Sequence, residues 1–260
     1  MDGNEPSAQP TNGDVSEDAT SAVTLTNLLV NASDADGGVP FISAVAGGTL
    51  GGVVDVNGGG SFTITANGAA TFDPDGDFET LAKGDVATAS IDYTVSDGRG
   101  STTTSTVTVT VVGENDAPVA KSDFTGSATE DAGAKTITFN AVTSATDVDA
   151  GTSLTLALSN ETAKYGDFVV SNDGKKVEYK FDDDGEADKL AAGETAKETV
   201  THTINDGNGG SDSETITVTI TGVNDAPVAK ADFTGSATEG AGTKTITFNA
   251  VTSATDVDAG

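Results

Sequence analysis

The chain has 260 residues, with 12 Lys and Arg against 41 Asp and Glu, a net charge of −29, one His, one Met and no Cys or Trp. Without thiols there is no disulfide scaffold, Cys-ligated metal or cysteine nucleophile, and so negative a field repels nucleic acid and anionic membranes while attracting cations. No run of 18 apolar residues occurs, and the acidic opening Met1-Asp2-Gly3 differs from the basic start of a secretory signal, so membrane insertion is not expected.

Val, Ile, Ala and Phe supply the apolar content in a background rich in Thr and Gly, which favours strands. Taken in chain order, period-2 runs bounded by Gly, Asn and Asp predict strands over residues 22–30, 41–45, 53–56, 61–65, 87–95 and 103–112. After Asn115-Asp116-Ala117-Pro118 come a first strand near 119–125 and further strands over 135–142, 153–159, 167–170, 175–181, 198–204 and 214–220. The segment 117–151 then returns as 226–260 with three differences in 35 positions, a period of 109 residues. The chain reads as a tandem array in which 1–114 is a divergent first repeat, 115–223 a second, and 224–260 the opening strands of an incomplete third. Seven short strands in about 100 residues, as counted in the second repeat, fit an all-β, Greek-key β-sandwich of the immunoglobulin or cadherin type, repeated into an elongated rod. With neither the Cys pair nor the Trp of antibody domains, strand pairing and an apolar core must hold each repeat.

On such a sandwich the acidic loops converge. Asp147-Val148-Asp149 follows the second strand of its repeat, Asp206 lies between the last two, and Asn115-Asp116 sits in the linker, which places all three at one pole. Glu130 falls toward the opposite pole, and by the same reasoning Glu17 of the first repeat comes beside Glu114, Asn115 and Asp116. Together with Asp147, Asp149 and Asp206 these residues offer the roughly six to eight oxygens that Ca²⁺ takes, Asp-x-Asp presenting two carboxylates from one extended loop. Equivalent acids stand on either side: Asp34, Asp36 and Asp97 in the first repeat, and Glu130 with Asn224, Asp225, Asp256 and Asp258 downstream. A plainer reading stays open beside this one, since Asp, Asn and Gly also make turns. Asp73-Pro74-Asp75-Gly76-Asp77 and Asp182-Asp183-Asp184-Gly185-Glu186 occupy corresponding later loops, as solvated acidic turns or as a further cation site. His202 falls at the offset of Tyr93, a strand position, and one His without Cys leaves no repeated catalytic constellation, so no enzyme is expected.

The linker Asn115-Asp116-Ala117-Pro118-Val119, the opening Thr129-Glu130-Asp131, the loop Asp147-Val148-Asp149-Ala150-Gly151, the stretch 190–195 and Asn205-Asp206-Gly207-Asn208-Gly209-Gly210 resemble the VCBS and cadherin-like (bacterial Ig-like) repeats of large bacterial surface and biofilm adhesins. That resemblance implies non-catalytic extracellular repeats, often secreted through type I systems, whose joints calcium stiffens, with the glutamate, the linker and the Asp-x-Asp loop as ligands. Glu114 becomes Val223 and Asp131 becomes Gly240 one repeat later, so neither is an obligatory ligand there. The implied role is a stalk segment supporting cell adhesion and biofilm, with calcium ions and neighbouring repeats as partners. The alternative is a self-assembling matrix, lattice or filament subunit in which another copy completes the third repeat by strand donation, covering Val228, Phe233, Ile246 and Phe248. A carbohydrate-binding module is disfavoured, because the chain has no Trp and only three Tyr for a sugar platform.

Overall fold

The computed structural model describes residues 14–133, 135–182, 185–229, 232–240 and 242–258. They fall into two compact units, one holding the residues up to Pro118 with Asp147–Ser153 and Asp206–Gly210, the other Val119–Thr146, Leu154–Asn205 and Ser211–Gly260.

The first repeat forms β1 (Asp14–Ser16), β2 (Val23–Thr24), β3 (Phe41–Val45), β4 (Val53–Asp55), β5 (Ser61–Ile64), β6 (Ala70–Asp73), β7 (Val86–Ser96) and β8 (Thr102–Val112). One sheet has the order β1-β8-β7-β3 and the other β2-β6-β5-β4. The second repeat forms β9 (Phe124–Thr129), β10 (Lys135–Phe139), β11 (Thr155–Thr162), β12 (Gly166–Val170), β13 (Val177–Phe181), β14 (Thr195–Asn205) and β15 (Ser211–Thr221), in sheets β11-β14-β15-β9 and β10-β13-β12. The protein is thus built of all-β repeats, with helical turns of only three or four residues among the described residues. Among the described residues no helix is long and apolar enough to cross a membrane.

Alternation explains the layers. In β8, Val107, Val109 and Val111 are fully buried while the Thr residues between them face outward, and Ile216, Val218 and Ile220 repeat this in β15. Each such side chain contributes about 1.5 to 3 kcal/mol on burial. Phe62 and Phe72 of one sheet join the β8 valines of the other in a single core, and Phe168, Tyr179 and Phe181 join Ile216 and Ile220 in the second.

The pairing of first and last strands positions the acidic residues. β1 runs parallel to β8, with Ser16 opposite Val112, and β9 runs parallel to β15, with Thr129 opposite Thr221. Parallel neighbours finish at the same end of the sheet, so the residue after the opening strand of a repeat arrives beside the residue after its closing strand. Glu17 therefore meets Glu114, and Glu130 meets Val223. Gly113 and Gly222, just before these closing residues, lie against another stretch of backbone, where a Cβ would come 2.4 Å from the Ala82 carbonyl oxygen and 2.5 Å from that of Ala191.

Several strand boundaries differ from the sequence reading. The first strand of the second repeat covers Phe124–Thr129 rather than 119–125, and Val119 makes only an isolated bridge to Thr146. The run 22–30 pairs only at Val23–Thr24, because Leu25 and Leu28 fill the core from turns that hydrogen-bond to Ala70 and Gly68. The strand expected over 135–142 stops at Phe139, and Ala141–Ser144 forms a helical turn with Ala141 buried. β1 and β6 had no expected counterpart: each is short, and its pattern is too brief for period-2 counting.

Candidate metal centre

In the first unit, one carboxylate oxygen from each of Glu17, Asp116 and Asp149 lies within 4.8 Å of the others. Glu17 is 2 % exposed and Asp149 4 %. The backbone fixes each group. The Glu114 N–H donates to Glu17 Oε1 at 2.7 Å, and the Asp116 N–H donates to Asp149 Oδ2 at 3.1 Å. Within the Asp-x-Asp loop, the Asp149 N–H donates to Asp147 Oδ1 at 2.9 Å, an Asx turn that rigidifies both acids.

These bonds leave one oxygen per group without a donor. Glu17 Oε2, Asn115 Oδ1, Asp116 Oδ2, Asp147 Oδ2 and Asp149 Oδ1 are all buried and unpartnered. Burial, followed by the like charges of Asp18, Asp116 and Asp149, pushes the Glu17 carboxyl up, with the Glu114 N–H opposing. Asp116 and Asp149 are raised in the same way, burial first and their acidic neighbours after it. Among the described residues no ion pair of Lys or Arg reaches this group. Buried, mutually repelling carboxylates are costly by several kcal/mol unless a cation compensates them, and hard oxygen donors select a hard cation.

The same circuit appears in the second unit. One carboxylate oxygen each from Glu130, Asp225 and Asp258 lies within 4.8 Å of the others. The Val223 N–H donates to Glu130 Oε2 at 2.7 Å, Asp225 N–H to Asp258 Oδ2 at 2.6 Å, and Asp258 N–H to Asp256 Oδ1 at 3.1 Å. Glu130 Oε1, Asp225 Oδ2 and Asp258 Oδ1 remain buried without a donor. Asn115 and Asn224 each turn the side-chain amide onto the next carbonyl, of Asp116 at 2.9 Å and Asp225 at 2.7 Å.

Not every expected residue joins in. The Glu114 side chain is exposed and only its N–H takes part, which is why Val223 can replace it. Asp206 is buried beside the group, but its oxygens accept from Asn115 Nδ2 at 2.8 Å and from the N–H groups of Asn208, Gly209 and Gly210, so its carboxyl is held below the usual range, the Asn115 bond first among the causes. Gly210 is required there, since a Cβ would lie 2.2 Å from Asp206 Oδ2. Asp34, Asp36 and Asp97 form no cluster of three acids among the described residues. Asp34 and Asp97 instead close their own turns, accepting from Asp36 and Gly38 and from Arg99 and Ser101. In the later acidic loops Asp77 accepts from Gly60 at 2.9 Å, while Asp183 and Asp184 lie outside the described residues.

Two acids escaped the sequence reading. Oxygens of Asp18 and Glu79 come within 4.8 Å of each other and of Asp116, a second group sharing that aspartate. A signal for Glu79 was present: Asp77-Phe78-Glu79 returns 109 residues later as Glu186-Ala187-Asp188, two acids around a residue buried in the core. Asp188 is among the charges that raise Glu130 and Asp225.

Residues 4–113 and 115–222 each match the family model of the bacterial cadherin-like domain. Drosophila N-cadherin EC1-4 superposes with a TM-score of 0.50 at 16 % identity, covering 85 % of this chain and 50 % of that one. Mouse cadherin-23 EC22-24 gives a TM-score of 0.47 at 22 % identity over 85 % of this chain and 65 % of that one, and human protocadherin-24 EC1-2 gives 0.47 at 16 % over 85 % and 99 %. The chain spans half the length of the N-cadherin structure. No curated protein matches it significantly.

Proposed function

Because the chain belongs to the bacterial cadherin-like domain family, we propose that it is a non-catalytic, extracellular, calcium-stiffened segment of a bacterial adhesin or stalk, of the VCBS-like kind, serving cell adhesion and biofilm. The observation behind this reading is the set of buried oxygens without donors on Glu17, Asp116 and Asp149, repeated on Glu130, Asp225 and Asp258. Calcium suits them because it takes oxygen donors only, in flexible geometry, and tolerates several carboxylates. At the first cluster Glu17, Asp116, Asp147, Asp149 and the Asn115 amide oxygen would hold it, with Asp18 and Glu79 serving a neighbouring ion through Asp116. At the second, Glu130, Asp225 and Asp258 would do so.

A bound cation would tie residues of a repeat's closing end to the linker and to the Asp-x-Asp loop that the sequence assigns to the next repeat. Bending at the linker then requires breaking several ion–oxygen contacts, and neutralising the charge removes the repulsion that loosens the metal-free chain. Near-identical repeats suit a device whose length is set by duplication. Calorimetric calcium titration of the chain and of an Asp147→Asn/Asp149→Asn variant tests this: the variant should lose the first cluster's binding and keep the second's. Equal stoichiometry and affinity in both proteins would refute the assignment.

A further inference from the structure

Four Asn-Gly pairs occur in the sequence, at 12–13, 57–58, 67–68 and 208–209, and the last three lie among the described residues. Asn followed by Gly is chemically labile, because a glycine nitrogen has no neighbouring Cβ to hinder its attack on the asparagine side-chain amide. The attack requires that nitrogen to lose its proton and to rotate onto the Asn Cγ. A Gly N–H already held in a hydrogen bond is restrained from both.

Two of the described pairs are locked. The Gly68 N–H donates to the Thr65 carbonyl at 2.9 Å, and Asn67 Oδ1 accepts from the Thr65 hydroxyl at 2.5 Å and from the Ala69 N–H at 3.3 Å. The same turn recurs in the second repeat with Asp in place of Asn: the Gly174 N–H donates to the Ser171 carbonyl at 2.8 Å, and the Ser171 hydroxyl to Asp173 Oδ1 at 2.5 Å. The Gly209 N–H donates to Asp206 Oδ1 at 3.0 Å, so the turn that occupies Asp206 also protects Asn208.

Asn57-Gly58 differs. It lies in the turn between β4 and β5, where the Val56 N–H donates to the Gly60 carbonyl at 3.1 Å, the Gly59 N–H to the Val56 carbonyl at 3.2 Å and the Gly60 N–H to Asp77 Oδ2 at 2.9 Å. Among the described residues neither the Gly58 N–H nor the Asn57 side chain has a hydrogen-bond partner, and both residues are exposed. Gly58, Gly59 and Gly60 take φ of 108°, 100° and 74°, a run without side chains in which the backbone turns freely.

We propose that Asn57 is a site of spontaneous deamidation, with water as the only co-reactant. The Gly58 nitrogen gives its proton to hydroxide and bonds to Asn57 Cγ; the Cγ–Nδ2 bond breaks, and the leaving nitrogen takes a proton from water and departs as ammonia. Water then opens the cyclic succinimide at either carbonyl, leaving aspartate or isoaspartate. The new carboxylate joins Asp55 and Asp92, which line one open cavity with Asn57. In the isoaspartate product the main chain gains a methylene in the turn that closes β4, an outer strand that the three-stranded sheet of the second repeat lacks.

The test is to age the full-length protein in warm, mildly alkaline buffer and follow each Asn-Gly pair by peptide mapping and mass spectrometry, with an isoaspartyl methyltransferase labelling the rearranged product. Asn57 should convert several-fold faster than Asn67 and Asn208, mainly to isoaspartate, and unfolding in urea should bring the three rates together. Equal rates in the folded protein overturn the proposal, as does conversion of Asn57 to aspartate without isoaspartate. A difference that survives unfolding assigns it to local sequence and overturns the protection argued for Asn67 and Asn208.

Discussion

At the 109-residue offset, Ala70, Ala89 and Tyr93 of the first core are replaced by Tyr179, Glu198 and His202 in the second, all six being fully or almost fully buried. The second core accommodates a carboxylate: Glu198 accepts from the Tyr179 hydroxyl and from the Lys164 and Tyr165 N–H groups, the last at 2.7 Å. Over the same interval Asp116 and Asp149 reappear as Asp225 and Asp258, and Glu17 has its counterpart in Glu130, with equivalent backbone donors and the same unpartnered oxygens. The contrast separates two kinds of constraint. A sandwich core tolerates exchange of side chains if volume and hydrogen bonding are satisfied, whereas a cation site needs particular oxygens at particular points.

The strongest way to sharpen that contrast is to supply the cation. Calcium at about a hundred times its dissociation constant should stabilise each cluster by about 2.7 kcal/mol, and for repeats of roughly 100 residues this raises the melting midpoint on the order of 10 °C. Calorimetric scanning with calcium and with chelator measures it, and coincident traces would contradict the cation reading at both clusters.

Next, Glu17→Gln and Glu130→Gln should each weaken calcium at their own cluster by about tenfold or more, equivalent to about 1.4 kcal/mol. Titration of each variant should leave the other cluster's binding unchanged. If Glu17→Gln altered both equally, the independence of the clusters would fall.

A core change should behave differently. Tyr179→Phe removes one of three donors to buried Glu198 and should destabilise the second repeat by about 1 to 2 kcal/mol, without altering calcium affinity. Urea unfolding followed by a probe in each repeat tests this.

The smallest effect concerns pH. Burial lowers the proton affinity of His202, against the opposing influence of Glu214 and Asp212. A folded pKa below the unfolded value means that the unfolded chain binds the extra proton, so stability is lost as pH falls through the unfolded value, about 6.5, toward the folded one. The second repeat should show this step in calcium-free buffer, and His202→Tyr, which restores the residue found at Tyr93, should abolish it.

Much of the architecture could be read before any coordinates. Long alternating runs such as 103–112 and 214–220 gave strands in the right places, because sustained Val-Thr or Ile-Thr alternation admits few other solutions. The run 22–30 misled, since Leu25 and Leu28 reach the core from turns, and apolar spacing alone does not report backbone pairing. At the acidic site, repetition singled out Glu17, Asp116 and Asp149, yet neither Glu79, just beyond the acidic loop 73–77, nor Asp18 was singled out as a ligand.

The sequence by itself determined the repeat period, the all-β character and the recurrence of the acids, because periodicity and composition are local properties of the chain. Tertiary structure alone decided which acids share a site. Parallel pairing of β1 with β8 and of β9 with β15 brings residues about a hundred positions apart to one end of a sheet, and the resulting hydrogen bonds decide which oxygens are consumed. Asp206 spends its oxygens on its own glycine turn and on Asn115, and Asp34 and Asp97 do likewise within their turns, whereas Glu17, Asp116 and Asp149 each keep one buried oxygen without a donor. Whether a carboxylate is free to bind depends on which N–H groups fold around it, and spacing along the chain does not carry that information.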